Sequence, residues 1–239
     1  MEEVRELVLE VKAAMLAALS ILVLKGLDEA IVVMNNQVSL NPDGQKIQKD
    51  KDSVLERFQK HAGNNFDELV GGPEKEVNVL DYGSLSLVEE DDLEAIIAME
   101  GMIAHARNCD IQEYLSFNTR FDTLFFGTRI DESNNPMDPE QIGDAFKEAI
   151  RPVSLSPAGL LMAYRYFNSS VFHELEAVFV EANEILIGKN ILPDLDIAAR
   201  DKKVQKNKRS LPREKKDPTE RAFSSPSQAG DQPGPSAQQ

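Results

Sequence analysis

Three histidines, one cysteine and several clusters of carboxylates are the side chains of this sequence whose types could do chemistry. His61, His105 and His173 lie far apart, and none follows a glutamate by three positions. The Glu-x-x-His pairs that hold di-iron centres in helical bundles are therefore missing. His173-Glu174-Leu175-Glu176 opens like a zinc-protease helix, but Ala177 stands where the second histidine is needed. Ser39-Leu40-Asn41-Pro42-Asp43-Gly44, with Asp50 at the twelfth place, mimics part of a calcium loop. Serine at the first place, Lys46 at the eighth and the missing bidentate glutamate reduce it to an Asp-Gly turn. Asp131-Glu132-Ser133-Asn134-Asn135-Pro136 fails the same test, with Pro136 where glycine is required. Neither a glycine-rich phosphate loop nor a G-x-S-x-G elbow occurs. Cys109 reads as a small buried residue, reactive only beside a cationic neighbour. No catalytic, cofactor-binding or metal-binding residue is assigned. For a site assembled from scattered residues, Glu100, His105, Cys109 and His173 are the first to consider.

Glu89, Glu90, Asp91 and Asp92 are four successive carboxylates at the opening of an apolar-periodic segment. Negative side chains complement the dipole of a helix N-terminus, which accounts for them without a metal. They also make an acidic surface on which a basic partner could dock.

The elements that must position these residues are helical nearly throughout. Val4, Val8, Val11, Met15, Ala18 and Leu22 recur at steps of three and four, and residues 13–24 are apolar all round, so a first helix is expected to be buried on several sides. After the Asn41-Pro42-Asp43-Gly44 turn, a second helix spans roughly 45–69. Residues 73–87 are the least helical stretch of the body, an extended loop or an isolated strand. A third helix over 90–107 is expected to bury Leu93, Ile96, Ile97, Ile103 and Ala104. A fourth runs from Ile111 to Gly127. Asp138, Pro139 and Gln141 form an N-cap, first-turn proline and capping box for a fifth, which Arg151-Pro152 ends.

Ser156-Pro157 repeats that start signal for one long final helix. Along it Leu161, Tyr164, Asn168, Val171, Leu175, Val178, Ala182 and Ile185 alternate steps of three and four, a coiled-coil-like seam with Asn168 as its polar member. The seam predicts either a pairing surface, including a homodimer, or a bundle helix whose asparagine finds an intramolecular partner; ordinary bundle packing is the favoured reading. The fold class is all-α: a bundle of about six helices with one long C-terminal helix, followed by a disordered basic tail.

The chain has 239 residues, and its charge divides near residue 200. Residues 200–239 carry ten Lys+Arg against five Asp+Glu, whereas residues 1–199 carry 16 against 36, a net of −20. Such a body repels nucleic acid and anionic membrane. Domains are placed at 1–199, with a subdomain split considered near 71–87, and a tail or linker at 200–239. A single cysteine excludes an internal disulfide and fits a reducing compartment. The longest apolar run, twelve residues, is shorter than the roughly twenty of a membrane span, and the acidic start is unlike a secretory leader. No membrane insertion and a cytoplasmic location are expected.

Leu85-Ser86-Leu87-Val88-Glu89-Glu90-Asp91-Asp92-Leu93-Glu94, Met99-Glu100, Ala104-His105-Ala106-Arg107, Asn134-Asn135-Pro136-Met137-Asp138-Pro139-Glu140, Phe179-Val180-Glu181-Ala182-Asn183 and Ile191-Leu192-Pro193-Asp194-Leu195 form an ordered series. It resembles a bacterial family of unknown function whose members often bear the label "thymidine phosphorylase". The resemblance covers roughly residues 5–196 and brings no catalytic residues. Phosphorylase chemistry needs a phosphate cradle and an α/β framework, and this sequence shows neither. Longer relatives can end in a PilZ-type module, which implies an association with cyclic di-GMP. The tail's Arg209-Ser210-Leu211-Pro212-Arg213 and Ser225–Gly230 echo PilZ signatures, but Ser225 replaces the required acidic or amide residue. The resemblance implies that the chain corresponds to the N-terminal part of such a protein, a natural short form or a truncation. The functional expectation is a non-enzymatic, cytoplasmic interaction or regulatory module with an unknown protein partner or a second copy of itself, no nucleic acid and no cofactor. The alternatives are the scattered-residue enzyme and a small-ligand sensor.

Overall fold

The computed structural model describes residues 2–71, 90–109, 111–125 and 129–195. The chain divides into two units, Met1–Ala198 and Ala199–Gln239. The expected tail, the 73–87 segment, Glu89 and Gly127 all lie outside the described residues, as do the side chains of Glu90, Asp91 and Asp92.

The body is all-α. Seven α-helices are described: α1 (Glu2–Asn35), α2 (Asn41–Leu69), α3 (Glu90–Asn108), α4 (Ile111–Asp122), α5 (Pro139–Ile150), α6 (Pro157–Ser170) and α7 (Leu175–Gly188). No strand occurs among the described residues. The short link between α1 and α2 makes them an antiparallel hairpin. Their register is fixed by Lys12–Asp67, Gln59–Ser20 and Lys51–Asp28, which step by eight residues along each helix. By length and composition α1 could cross a bilayer. Its row Val8, Val11, Met15, Leu19, Val23 and Leu27 is buried, and the helix packs on α2, α6 and α7. Where α1 meets α6, a Cβ at Gly26 would fall 2.2 Å from Ser170 Oγ and 3.0 Å from the Tyr166 carbonyl, so the two backbones approach as only glycine permits.

Three expectations are corrected. Asn41-Pro42-Asp43-Gly44 is the first turn of α2, not a turn before it. Pro and Asp favour the opening of a helix as much as a β-turn, so the local signal is the same. On α3 the buried face is Ala95, Met99, Ile103 and Ala106, whereas Leu93, Ile96 and Ile97 are 46, 44 and 57 % exposed and Ala104 is exposed. The long last helix is interrupted: α6 stops at Ser170, Phe172–Glu174 form a 3-10 turn, and α7 starts at Leu175. Ser170 Oγ donates to the Tyr166 carbonyl at 2.8 Å and Ser169 Oγ to the same carbonyl at 3.2 Å, back-bonding that bends helices.

The seam still has a use. Tyr164, Val171, Leu175, Val178 and Ala182 are all buried in the body's own core, beside Phe167 and Phe172. Phe146 of α5 stacks on Phe167 at 4.1 Å, and Phe58 of α2 meets Phe167 edge-on, so three helices share one aromatic centre.

Candidate functional site

With its Ala95–Met99–Ile103–Ala106 face turned against α5 and α6, α3 presents a second apolar stripe outward. Leu93, Ile97, Gly101 and Ala104 recur at steps of four, four and three, which places them on one side of the helix. Beside this stripe an open groove of about 450 Å³ runs between α3 and α6. Its floor is small and apolar: Ala98, Gly101, Met102 and Leu161. Its polar rim is asymmetric. Glu94 stands at the end nearer the start of both helices, and His105, Arg165, Asn168 and His173 gather towards the other. Neither Glu94 nor Arg165 forms an ion pair with a described residue.

The groove draws residues from both sets singled out in the sequence. Leu161 and Asn168 come from the seam, and His105 and His173 from the scattered set. The two imidazole rings lie 6.1 Å apart, and Cys109 Sγ is 3.4 Å from His105 Nδ1. That contact follows from their spacing of four at the end of α3, where the Cys109 N–H still donates to the His105 carbonyl. Cys109 is half-buried rather than buried. Asn168 finds the intramolecular partner expected of a bundle asparagine, its amide 3.4 Å from His173 Nε2. Its Oδ1 is buried without a partner. Glu100 is exposed and does not line the groove. Of the seam, Tyr164, Val171, Leu175 and Val178 are inside the core rather than on a surface. Among the described residues no three His, Cys, Asp or Glu side chains converge as a metal site.

Two further polar centres hold the frame around the groove. Asp138, wholly buried, caps α5 by accepting from the Glu140 N–H at 2.9 Å. It also accepts from Arg107 of α3 at 2.6 Å and from the Tyr114 hydroxyl of α4 at 2.6 Å. The hydrogen bond to Asp138 holds the Arg107 guanidinium well above its ordinary pKa against the opposing effect of burial; burial, then Asp138, pushes the Tyr114 phenol up. Gln141 donates to the Ser133 carbonyl at 3.2 Å, and the Asp138 N–H donates to the Asn135 carbonyl at 3.0 Å.

The second centre joins the starts of α2 and α6. Asp43, nearly buried, accepts from the Ser156 hydroxyl, from the Ser156 N–H at 3.2 Å and from Lys46 at 3.1 Å. Ser156 in turn caps α6 at the Gly159 N–H. Burial alone would raise the Asp43 pKa, but these hydrogen bonds and the Lys46 charge lower it. Sequence reading identified Asp138 and Ser156 as caps, because capping is local. It gave no role to Arg107, Tyr114 or this side of Asp43, whose partners are distant in the chain.

Residues 1–190 match the family model described as "Protein of unknown function (DUF1631) N-terminal domain". No curated protein and no solved structure matches the chain.

Proposed function

The chain belongs to that family, whose description names no activity, and from its geometry we propose that the helical body is a cytoplasmic protein-interaction module whose docking face is the outward side of α3 with the adjoining groove. The observation that carries this reading is the second apolar face of α3. A helix needs one apolar stripe to join a core, and α3 spends Ala95, Met99, Ile103 and Ala106 on that. Leu93 and Ile97 then stand half-exposed with no such role, beside a concave apolar floor, which is the form of a helix-in-groove site. Thymidine phosphorylase chemistry and cyclic di-GMP find no supporting geometry in the described residues and stay with the resemblance that suggested them.

The test is a Leu93→Asp/Ile97→Asp double variant against wild type in quantitative affinity capture from host lysate, with circular dichroism to establish that both are folded. A partner retained by wild type and lost by the variant supports the assignment. Equal retention by both removes α3 from contention.

A second reading has its own observation. Cys109 beside His105, with His173 and Asn168 behind, is a thiol–imidazole grouping at the end of a groove. Alkylation of Cys109 by iodoacetamide should then be several-fold slower in a His105→Ala variant than in wild type. An unaltered rate ends this alternative.

A further inference from the structure

Resting on the docking reading above, we propose that the groove receives a helix of another protein laid along α3, with a basic group at the Glu94 end and an acidic group at the Arg165, His105 and His173 end. Three observations carry the proposal. The first is Gly101. Glycine inside a helix is unfavourable; at Gly26, Gly44 and Gly159 crowding explains it, and Gly188, which also has open space, is the last residue of its helix rather than an interior one. A Cβ at Gly101 would meet nothing within 4 Å, so no contact of the body's own asks for glycine there. A partner backbone crossing the middle of the stripe does, because a small residue at the crossing lets two helices come within the short end of the usual 8–10 Å separation.

The second is the unspent charge. Glu94 and Arg165 both line the groove, and neither is neutralised by a described residue. From Glu94 to His105 is eleven residues of α3, or about 16 Å, so the groove is some three turns long, with the Glu94 carboxylate at one end and the Arg165 guanidinium beyond it along α6. That length suits a helical segment rather than a small metabolite. The third is the net charge of the body. A second copy of the chain would bring a net charge of −15 against another of −15, whereas a separate helix escapes that repulsion. The polarity along the groove then sets which helices fit.

The experiment uses the full chain and fluorescein-labelled helical peptides that share one Ala/Leu stripe. One peptide has lysines at one end and glutamates at the other. A second intersperses the same charges, and two more are uniformly basic or uniformly acidic. By fluorescence anisotropy the bipolar peptide is expected to bind at least tenfold tighter than the interspersed one. Glu94→Lys should shift preference towards the acidic peptide, Arg165→Glu towards the basic one, and Gly101→Leu should abolish binding of all four. If bipolar and interspersed peptides bind equally while Gly101→Leu still abolishes binding, the polarity is wrong and the docking face stands. If no peptide binds, or Gly101→Leu has no effect, the docking face fails as well. Sedimentation velocity on the same variants covers the remaining occupant: a dimer dissolved by Gly101→Leu would overturn the proposal in favour of a second copy.

Discussion

At the scale of single residues the glycines separate into two kinds, and their substitutions should move stability in opposite directions. Gly101→Ala gains helix propensity at a position with free space, and should raise the unfolding free energy by about 0.5–1 kcal/mol in urea titrations. Gly159→Ala should lower it by about 1–3 kcal/mol, because the new methyl would lie 2.4 Å from Asp43 Oδ2 and 2.8 Å from its Cγ. In a double-mutant cycle Asp43→Ala removes both atoms, so part of the Gly159→Ala cost should disappear; strict additivity would show that the two residues are not in contact in solution. Legibility followed distance along the chain. The Asp138 and Ser156 caps could be read because a cap and the N–H it satisfies are two or three residues apart. Asp43 could not be placed, since Ser156 is 113 positions away and the sequence around Asp43 spells an ordinary turn.

At the scale of elements the sequence signalled where apolar stripes lie but not which of two stripes faces inward. On α3 both faces are apolar, so the periodicity of Leu93, Ile97 and Ile103 could not identify the side that α5 and α6 cover. The same limit applies to the last helix. The three–four stepping of the seam continues unbroken through Val171, while the hydroxyls of Ser169 and Ser170, bonded to the Tyr166 carbonyl, turn the chain there. The outward half of α3 remains visible only once the inward half is known. The element most dependent on a single side chain is the α3–α4–α5 junction. Asp138→Ala would remove the cap of α5, the buried partner of Arg107, which keeps Glu140 on the rim, and the acceptor of the Tyr114 hydroxyl, and should cost about 2–4 kcal/mol in chemical denaturation, more than loss of a cap alone. A loss near 1 kcal/mol would reduce Asp138 to its capping role.

For the whole molecule, the shifted groups set the pH range of stability. Asp43 has its pKa lowered from 3.8, so the ionised form is favoured by folding; its contribution is complete above that value and is lost as the pH falls below it. Tyr164 runs the other way. Burial, then the charges of Glu148 and Asp144, push it from 10.0 up to about 12, so its contribution is present below pH 10 and is lost as the pH climbs towards 12. Thermal unfolding across this range should show an acid limb that flattens in Asp43→Asn and an alkaline limb that flattens in Tyr164→Phe. Limbs unchanged in the variants would assign the losses to net charge. The clasp between Asp43 and Ser156 also bears on time rather than equilibrium. The start of α6 is completed by a residue 113 positions earlier, so this contact must wait until the intervening chain has collapsed, and contacts closed over long loops form late. Ser156→Ala should accordingly hasten unfolding while leaving the refolding rate nearly untouched. The body is thus fastened late at the place where its second and sixth helices begin.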